Sequence, residues 1–224
     1  MSAGGPLFGF CMALAVAQAA AQSFDRMPPP GAAPVLAAPQ FTDTQLSNGL
    51  RLVVAPRHAQ PLVTLRLEIE GGSDRPGLAD TGCVMLAQGA RRGPGGRDVV
   101  DAADIAFAAE MLGGRLLIAS NAAACRLTLT VPSAQVDDAL ELLSDLVRAP
   151  TFTAPAFARW RTQRSEALRA DLSDPATLAA ALARRQLRGD VVPTPQVLAR
   201  IIPAEVIALW RRQLRPEHAS LVMA

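Results

Sequence analysis

The chain has 224 residues, half of them hydrophobic, and a formal net charge of +2. This length suits one large domain or two small ones, and the apolar content is sufficient for a real core. All 22 basic residues are Arg, and they are interleaved with acidic residues. The chain therefore lacks the concentrated basic surface that a nucleic-acid-binding protein needs.

The N-terminal residues predict an exported protein. Residues 6–22 form an apolar run that ends in small residues, with an Ala-x-Ala cleavage site around Ala19 to Ala21, so residues 1–22 are interpreted as a signal peptide. A membrane anchor is the weaker interpretation because the run is short for a bilayer span. The Pro- and Ala-rich residues 23–40 are interpreted as a linker. We therefore expect a bacterial periplasmic or secreted protein with no membrane span after cleavage.

Two strands and a helix are predicted at the start of the folded domain, which spans residues 41–224. Residues 44–55 and 62–70 are predicted strands. Apolar and polar residues alternate along the second strand, which is the period of a sheet with one solvated face. A glycine turn then leads to a predicted helix at 77–88.

The second half of the predicted domain is mainly helical. The glycine-rich residues 92–98 lack the Lys-Ser/Thr tail of a phosphate-binding loop and are interpreted as a connector. Ser133 and Asp174 precede apolar periodic segments and are predicted helix N-caps, with Pro175 as the first helical residue after Asp174. The other elements, in chain order, are a helix at 99–112, a hairpin of strands at 115–120 and 124–131, helices at 134–148, 154–171, 174–187 and 203–213, a turn at 214–218 and a strand at 219–224.

The predicted helix at 77–88 has the frame of a zinc-peptidase active site without its catalytic side chains. The inverted zinc motif H-x-x-E-H needs two His at i and i+4, which share a helix face and grip one metal ion, and a Glu at i+3 that polarises the bound water. These three offsets hold Asp80, Cys83 and Val84. Asp80 can bind a metal only weakly, Val84 offers no ligand atom, and Cys83 is a poor base for water. The sequence therefore predicts no catalytic residue and no metal site at this helix.

Further landmarks occur on both sides of this helix in a fixed order. They are residues 46–54 (LSNGLRLVV), 63–73 (VTLRLEIEGGS), 85–92 (MLAQGARR), 110–116 (EMLGGRL), 139–147 (ALELLSDLV) and 150–152 (PTF). In this order and spacing they resemble the N-terminal domain of the pitrilysin/insulinase family of zinc metallopeptidases, which includes the mitochondrial processing peptidase. The resemblance covers residues 41–224.

The resemblance implies an α+β fold with an antiparallel-rich sheet of four to six strands and helices packed on one side. The alternating strands and amphipathic helices favour the same class. The family's third zinc ligand, a Glu on a later helix, falls near Ala167, with Glu166 one residue away. The family also implies a second, similar domain after the last strand, which this chain is expected to lack. Zinc belongs to active members, and no cofactor is expected here.

Cys83 and Cys125 are the cysteines that remain after the predicted cleavage. They are interpreted as two separate buried thiols, with a disulfide in an oxidising compartment as the alternative, because the sequence does not fix the distance between their Cα atoms. His58 and His218, the only histidines, lie in predicted loops away from the motif and are interpreted as exposed. Two histidines are too few for a His-rich zinc site.

These observations favour a secreted, non-catalytic homologue of the zinc metallopeptidases. Such a pseudo-peptidase would pair with an active homologous subunit, form a homo-oligomer such as a dimer, or bind extended peptides along a sheet edge. One alternative keeps metallopeptidase activity through a substituted metal site built from Asp80, Cys83 and Glu166, which are ligand types that bind zinc. Another alternative is a scaffold or assembly subunit.

Overall fold

The structure is a computed structural model that describes residues 40–57, 59–93, 95–121, 123–188 and 194–224. The predicted signal peptide, nearly all of the predicted linker and His58 lie outside the described residues. Within the described part, no helix is both long enough and apolar enough to cross a bilayer.

Six strands form one mixed sheet. In spatial order they are β1 (Thr42–Gln45), β2 (Arg51–Val54), β8 (Ala219–Met223), β3 (Leu62–Glu70), β7 (Ala124–Pro132) and β6 (Leu116–Ser120). All neighbouring pairs are antiparallel except β2 and β8, which are parallel. A separate small hairpin joins β4 (Gly89–Arg92) to β5 (Asp98–Asp101).

The helices of the described residues follow the strands in the expected order. They are α1 (Leu78–Met85), α2 (Ala102–Met111), α3 (Val136–Arg148), α4 (Ala154–Ser173), α5 (Pro175–Arg188), α6 (Pro195–Ala199) and α7 (Pro203–Gln213), with 3-10 turns at Leu86–Gln88, Ser133–Gln135 and Pro216–His218. The combination of an antiparallel-rich, six-stranded sheet with these helices confirms the predicted α+β class.

The sheet has one apolar and one polar face, because successive side chains on a strand point to opposite faces. On β7, Leu127 and Leu129 are fully buried. On the opposite face, the Arg126 guanidinium donates two hydrogen bonds to the Glu68 carboxylate across the β3–β7 ladder, at 2.6 and 2.8 Å. The helices therefore pack on the apolar face, as predicted.

Two apolar clusters lie between the elements. The first cluster lies against the sheet and combines buried residues of β3 and β7 with those of α2 and α3. The second cluster lies among α1, α4, α6 and α7. Helix α1 contributes to both, since Cys83 belongs to the first cluster while Leu78 and Met85 belong to the second. Helix α7 likewise contributes Trp210 to the first cluster and Leu209 to the second, so α1 and α7 together join the two cores.

The prediction of one continuous strand at 44–55 is wrong. The chain turns at Asn48 and Gly49, where Gly49 adopts a φ of +92° that favours glycine, and the Leu46 N–H donates to the Leu50 carbonyl at 2.8 Å. Asn-Gly between apolar residues is a strong hairpin signal. The segment is consequently split into the antiparallel pair β1 and β2.

Three other predicted boundaries or caps differ from the structure. The helix predicted at 99–112 begins only at Ala102, because residues 98–101 pair with β4 and the Asp101 carboxylate caps the helix by accepting two backbone N–H groups. The predicted connector at 92–98 links β4 to β5. Ser133 is not an N-cap, because a 3-10 turn precedes α3 and the Ser133 N–H donates to the Pro61 carbonyl.

Other predictions are confirmed. Asp174 accepts the Thr177 N–H at 2.9 Å at the start of α5, as a capping residue does. The hairpin of β6 and β7 and the last helix, α7, lie where the pattern placed them. Helix α6 and the β4–β5 hairpin have no counterpart among the predicted elements.

The alternation of burial predicts a large difference between two leucines on neighbouring strands. Leu127→Ala should destabilise the domain by about 2–5 kcal/mol, because Leu127 is fully buried and its truncation leaves a cavity. Leu117→Ala is the matched control: this side chain is 53% exposed on β6, and its loss should change stability by less than about 0.5 kcal/mol. Urea denaturation of both variants measures the difference, and equal effects would contradict the assignment of the two faces.

Candidate functional site at the degenerate helix

The residue just before α1 is a glycine, and its backbone conformation is one that favours glycine. Gly77 adopts a φ of +78°, in the left-handed region that favours glycine. One turn later the Thr81 side chain, which is fully buried, donates its hydroxyl hydrogen to the Gly77 carbonyl at 2.5 Å. The first turn of the helix is therefore set by local hydrogen bonding.

The loop before α1 is tied to the beginning of α7. The Arg75 guanidinium forms an ion pair with the Glu205 carboxylate and also donates to the Arg200 carbonyl at 2.7 Å. Glu205 in turn accepts the Ile202 N–H at 3.1 Å. The pKa of the Glu205 carboxyl lies below its ordinary value, mainly because of the hydrogen bond from the Ile202 N–H and secondly because of the Arg75 guanidinium. This network fixes the point at which the chain enters α1.

At the first motif position, Asp80 is engaged by a neighbouring strand. The Ser120 hydroxyl, at the end of β6, donates a hydrogen bond to the Asp80 carboxylate. Asp80 is only half-buried. The sequence had placed Asp80 in the motif but gave no sign of this partner, because Ser120 is 40 residues away.

The other two motif positions are occupied by side chains that pack. Val84 is half-buried and contacts the second cluster. Cys83 forms a disulfide with Cys125 at the start of β7, with the two Cα atoms 5.4 Å apart. The preferred interpretation of two separate thiols is therefore wrong. The fold brings together residues 42 positions apart in a way that the sequence alone does not reveal.

The third-ligand region does not face α1. Glu166 and Ala167 are exposed on α4, whereas Leu168 is buried in the second cluster. Two residues along a helix correspond to a rotation of about 200°, so Glu166 points away from the side that α4 buries. Within the described residues, no group of three or more His, Cys, Asp or Glu side chains lies close enough to hold one metal ion. His218 lies exposed in the last 3-10 turn.

Strand β6 forms a sheet edge beside the motif, and sequence analysis did not single it out. The Asn121 N–H donates to the Ala124 carbonyl at 3.0 Å, so along the antiparallel ladder the backbone N–H and C=O groups of Leu116, Ile118 and Ser120 point away from the sheet. In the described part of the chain no strand pairs with this edge. A groove of about 370 Å³ lies between α2 and the beginning of β6, with Ile105 and Leu116 among its lining residues.

The charge network at Glu205 predicts a pH-dependent stability. A carboxyl whose pKa is lowered in the folded state stabilises the fold above its unfolded pKa, and this contribution is lost as the pH falls through the lowered value. Glu205→Gln should therefore be less stable than the wild-type chain above pH 4.5, the ordinary pKa of this group, and the difference should disappear at lower pH.

Urea midpoints measured from about pH 3 to about pH 7 test this expectation. The matched control is Glu141→Gln, at an exposed position on α3, which should leave the midpoints nearly unchanged. A stability difference at Glu205 that is the same at every pH would contradict the assignment.

The architecture is similar to solved peptidase structures. No protein-family model and no curated protein matches the chain. Among solved structures, the chain is similar to a peptidase M16 inactive domain from Pseudomonas fluorescens, with a TM-score of 0.73 and 21% identity over 82% of this chain and 46% of that one. It is also similar to the periplasmic protease PqqL of Escherichia coli, with a TM-score of 0.68 and 21% identity over 84% of this chain and 22% of that one.

Pitrilysin gives a TM-score of 0.68 at 15% identity, over 84% of this chain and 21% of pitrilysin. The chain thus spans less than half the length of each of these three proteins. The sequence landmarks and the structural similarity agree, and the chain has the fold of a domain of the pitrilysin-type M16 peptidases.

Proposed function

We propose that this protein is a non-catalytic homologue of the M16 zinc peptidases, a pseudo-peptidase. The observation that carries the proposal is the set of contacts made by the side chains at the three motif positions on α1. Cys83 is bonded to Cys125, Asp80 accepts a hydrogen bond from Ser120, and Val84 packs against apolar side chains. All three positions therefore serve the packing of the domain.

These side chains cannot replace the lost chemistry. Peptide hydrolysis at a zinc site needs ligands that hold the ion and a base that takes a proton from the bound water. A disulfide sulfur is neither a thiolate ligand nor a general base, and a valine has no lone pair to donate. Asp80 is the only ionisable group left on this helix, and one carboxylate cannot serve as both ligand and base.

The alternative of a substituted metal site has little support. It requires Asp80, Cys83 and Glu166 to converge on one ion. The disulfide removes the Cys83 thiolate, and Glu166 is exposed on the side of α4 that points away from α1.

The edge of β6 is the feature best suited to the peptide-binding role. An extended chain that adds to this edge would form backbone hydrogen bonds with Leu116, Ile118 and Ser120, and a side chain beside Leu116 would enter the groove next to α2. This mode of binding needs no metal. The edge ends at Ser120, directly beside the motif residue Asp80.

Exposed apolar side chains beside this edge support a protein partner. Phe107 and Met111, one turn apart on α2, are 63% and 69% exposed, and Leu117 on β6 is 53% exposed. An active peptidase subunit or a second copy of this chain would bury them. The disulfide, the predicted signal peptide and the similarity to a periplasmic protease all favour an oxidising, periplasmic or secreted location.

The purified chain should not hydrolyse peptides and should not carry stoichiometric zinc. An internally quenched peptide substrate, with and without chelator, measures the first property, and elemental analysis of the chain measures the second. Pitrilysin serves as the positive control. Chelator-sensitive hydrolysis, or one tightly held zinc per chain, would overturn the proposal.

Peptide binding at the β6 edge has a variant-based test. Ile118→Pro removes an outward-pointing N–H, which an edge strand tolerates, and should weaken binding of extended, fluorescently labelled decapeptides about tenfold. Ile118→Val keeps the N–H and should bind like the wild-type chain. Fluorescence anisotropy measures the affinities, and circular dichroism checks that both variants fold. Equal affinity of the Pro and Val variants would exclude this edge as the binding site.

A further inference from the structure

We propose that the Cys83–Cys125 disulfide is a redox-sensitive fastening that holds α1 against the sheet, and that its reduction releases this helix. The bond joins the second turn of α1 to the beginning of β7. The Cα separation of 5.4 Å lies in the range of native disulfides. This inference shares the Cys83–Cys125 bond with the proposed function but concerns the stability of α1, which is tested without a peptidase assay.

Helix α1 depends on outside contacts for its stability. It has eight residues, and a helix of that length is not stable alone in water. It contains Gly82, a poor helix former, and the residue that precedes it, Gly77, offers no side-chain cap. Its last turn carries no basic side chain to offset the helix dipole. The position of α1 is therefore set by packing, by the Asp80–Ser120 hydrogen bond and by the disulfide.

The disulfide holds α1 at the centre of its contacts with the sheet. On β7, Cys125 pairs with Ile69 of β3 on one side and with Ser120 of β6 on the other. Ser120 is also the hydrogen-bond donor to Asp80. The disulfide therefore holds the second turn of α1 to β7, and the Asp80–Ser120 hydrogen bond holds its first turn to β6. Loss of the covalent link leaves only weaker contacts between α1 and the strands, namely packing, the Asp80–Ser120 hydrogen bond and the 3.5 Å approach of the Cys83 sulfur to the Ala119 carbonyl.

Reduction requires the helix to open. Cys83 is 1% exposed and Cys125 is 7% exposed, so a dithiol cannot reach either sulfur in the closed domain. After opening, a thiolate of the dithiol attacks one sulfur, the S–S bond breaks and a mixed disulfide forms. The second thiolate of the reagent then displaces the protein sulfur. Two electrons pass to the protein, which gains two thiols, and the dithiol becomes a cyclic disulfide.

Hydrogen exchange of the full chain, with and without dithiothreitol, tests the fastening. In the reduced wild-type chain, amides of α1 and β6 should lose protection while those of α3 keep it, and the melting temperature should fall by about 5–15 °C. The matched control is the double variant Cys83→Ala/Cys125→Ala, which should resemble the reduced chain and should not respond to dithiothreitol. If that variant does not accumulate as folded protein, the reduced wild-type chain alone decides the outcome.

Two results would overturn the inference. One is peptide mapping without reductant that finds Cys83 and Cys125 as free thiols in the natively purified chain. The other is a fully reduced chain, verified by thiol alkylation, in which α1 keeps its amide protection and the melting temperature is unchanged.

Discussion

The placement of α1 between two apolar clusters is the constraint on which the rest of the domain depends. Its first side packs on the sheet, and its second side packs on α4, α6 and α7. A helix in that position is apolar almost all round, as a helix buried in a core must be. The same helix carries the three motif positions. The side chains at those positions must therefore be compatible with burial in the core, whatever chemistry they carry.

This constraint explains which replacements are compatible with the fold. A glutamate at position 83 would be a buried carboxylate, and in the absence of a metal its burial would be costly. Cysteine and valine avoid that cost, and the pairing of Cys83 with Cys125 adds a covalent link between helix and sheet. Asp80 is half-buried, and the Ser120 hydroxyl donates a hydrogen bond to its carboxylate.

Much of the architecture could be predicted from local patterns. The alternation along β3 and β7 gives the two faces of the sheet, and the order of the landmarks gives the fold. Asn48-Gly49 is a turn signal in the sequence, and the prediction of one strand over 44–55 did not take it into account. Local patterns report only on residues that are close in sequence. They therefore predict the helix that contains Asp80, but they do not predict the contact between Asp80 and Ser120.

The disulfide and the orientation of Glu166 escaped prediction because both depend on contacts between distant parts of the chain. Cys83 and Cys125 meet only because β7 lies under α1. The direction in which Glu166 points depends on which side of α4 packs, and a resemblance in spacing cannot resolve a rotation of one residue.

The position of β8 has a consequence for the way the sheet assembles during synthesis. This strand, residues 219–223, lies between β2 and β3, and it is the only described strand that bonds the β1–β2 hairpin to the others. The sheet cannot close until residues 219–223 are present. Until then β2 and β3 each present an open flank, and pairings of such long sequence separation form slowly. A chain that has not yet gained β8 is therefore exposed to wrong strand partners at β2 and β3.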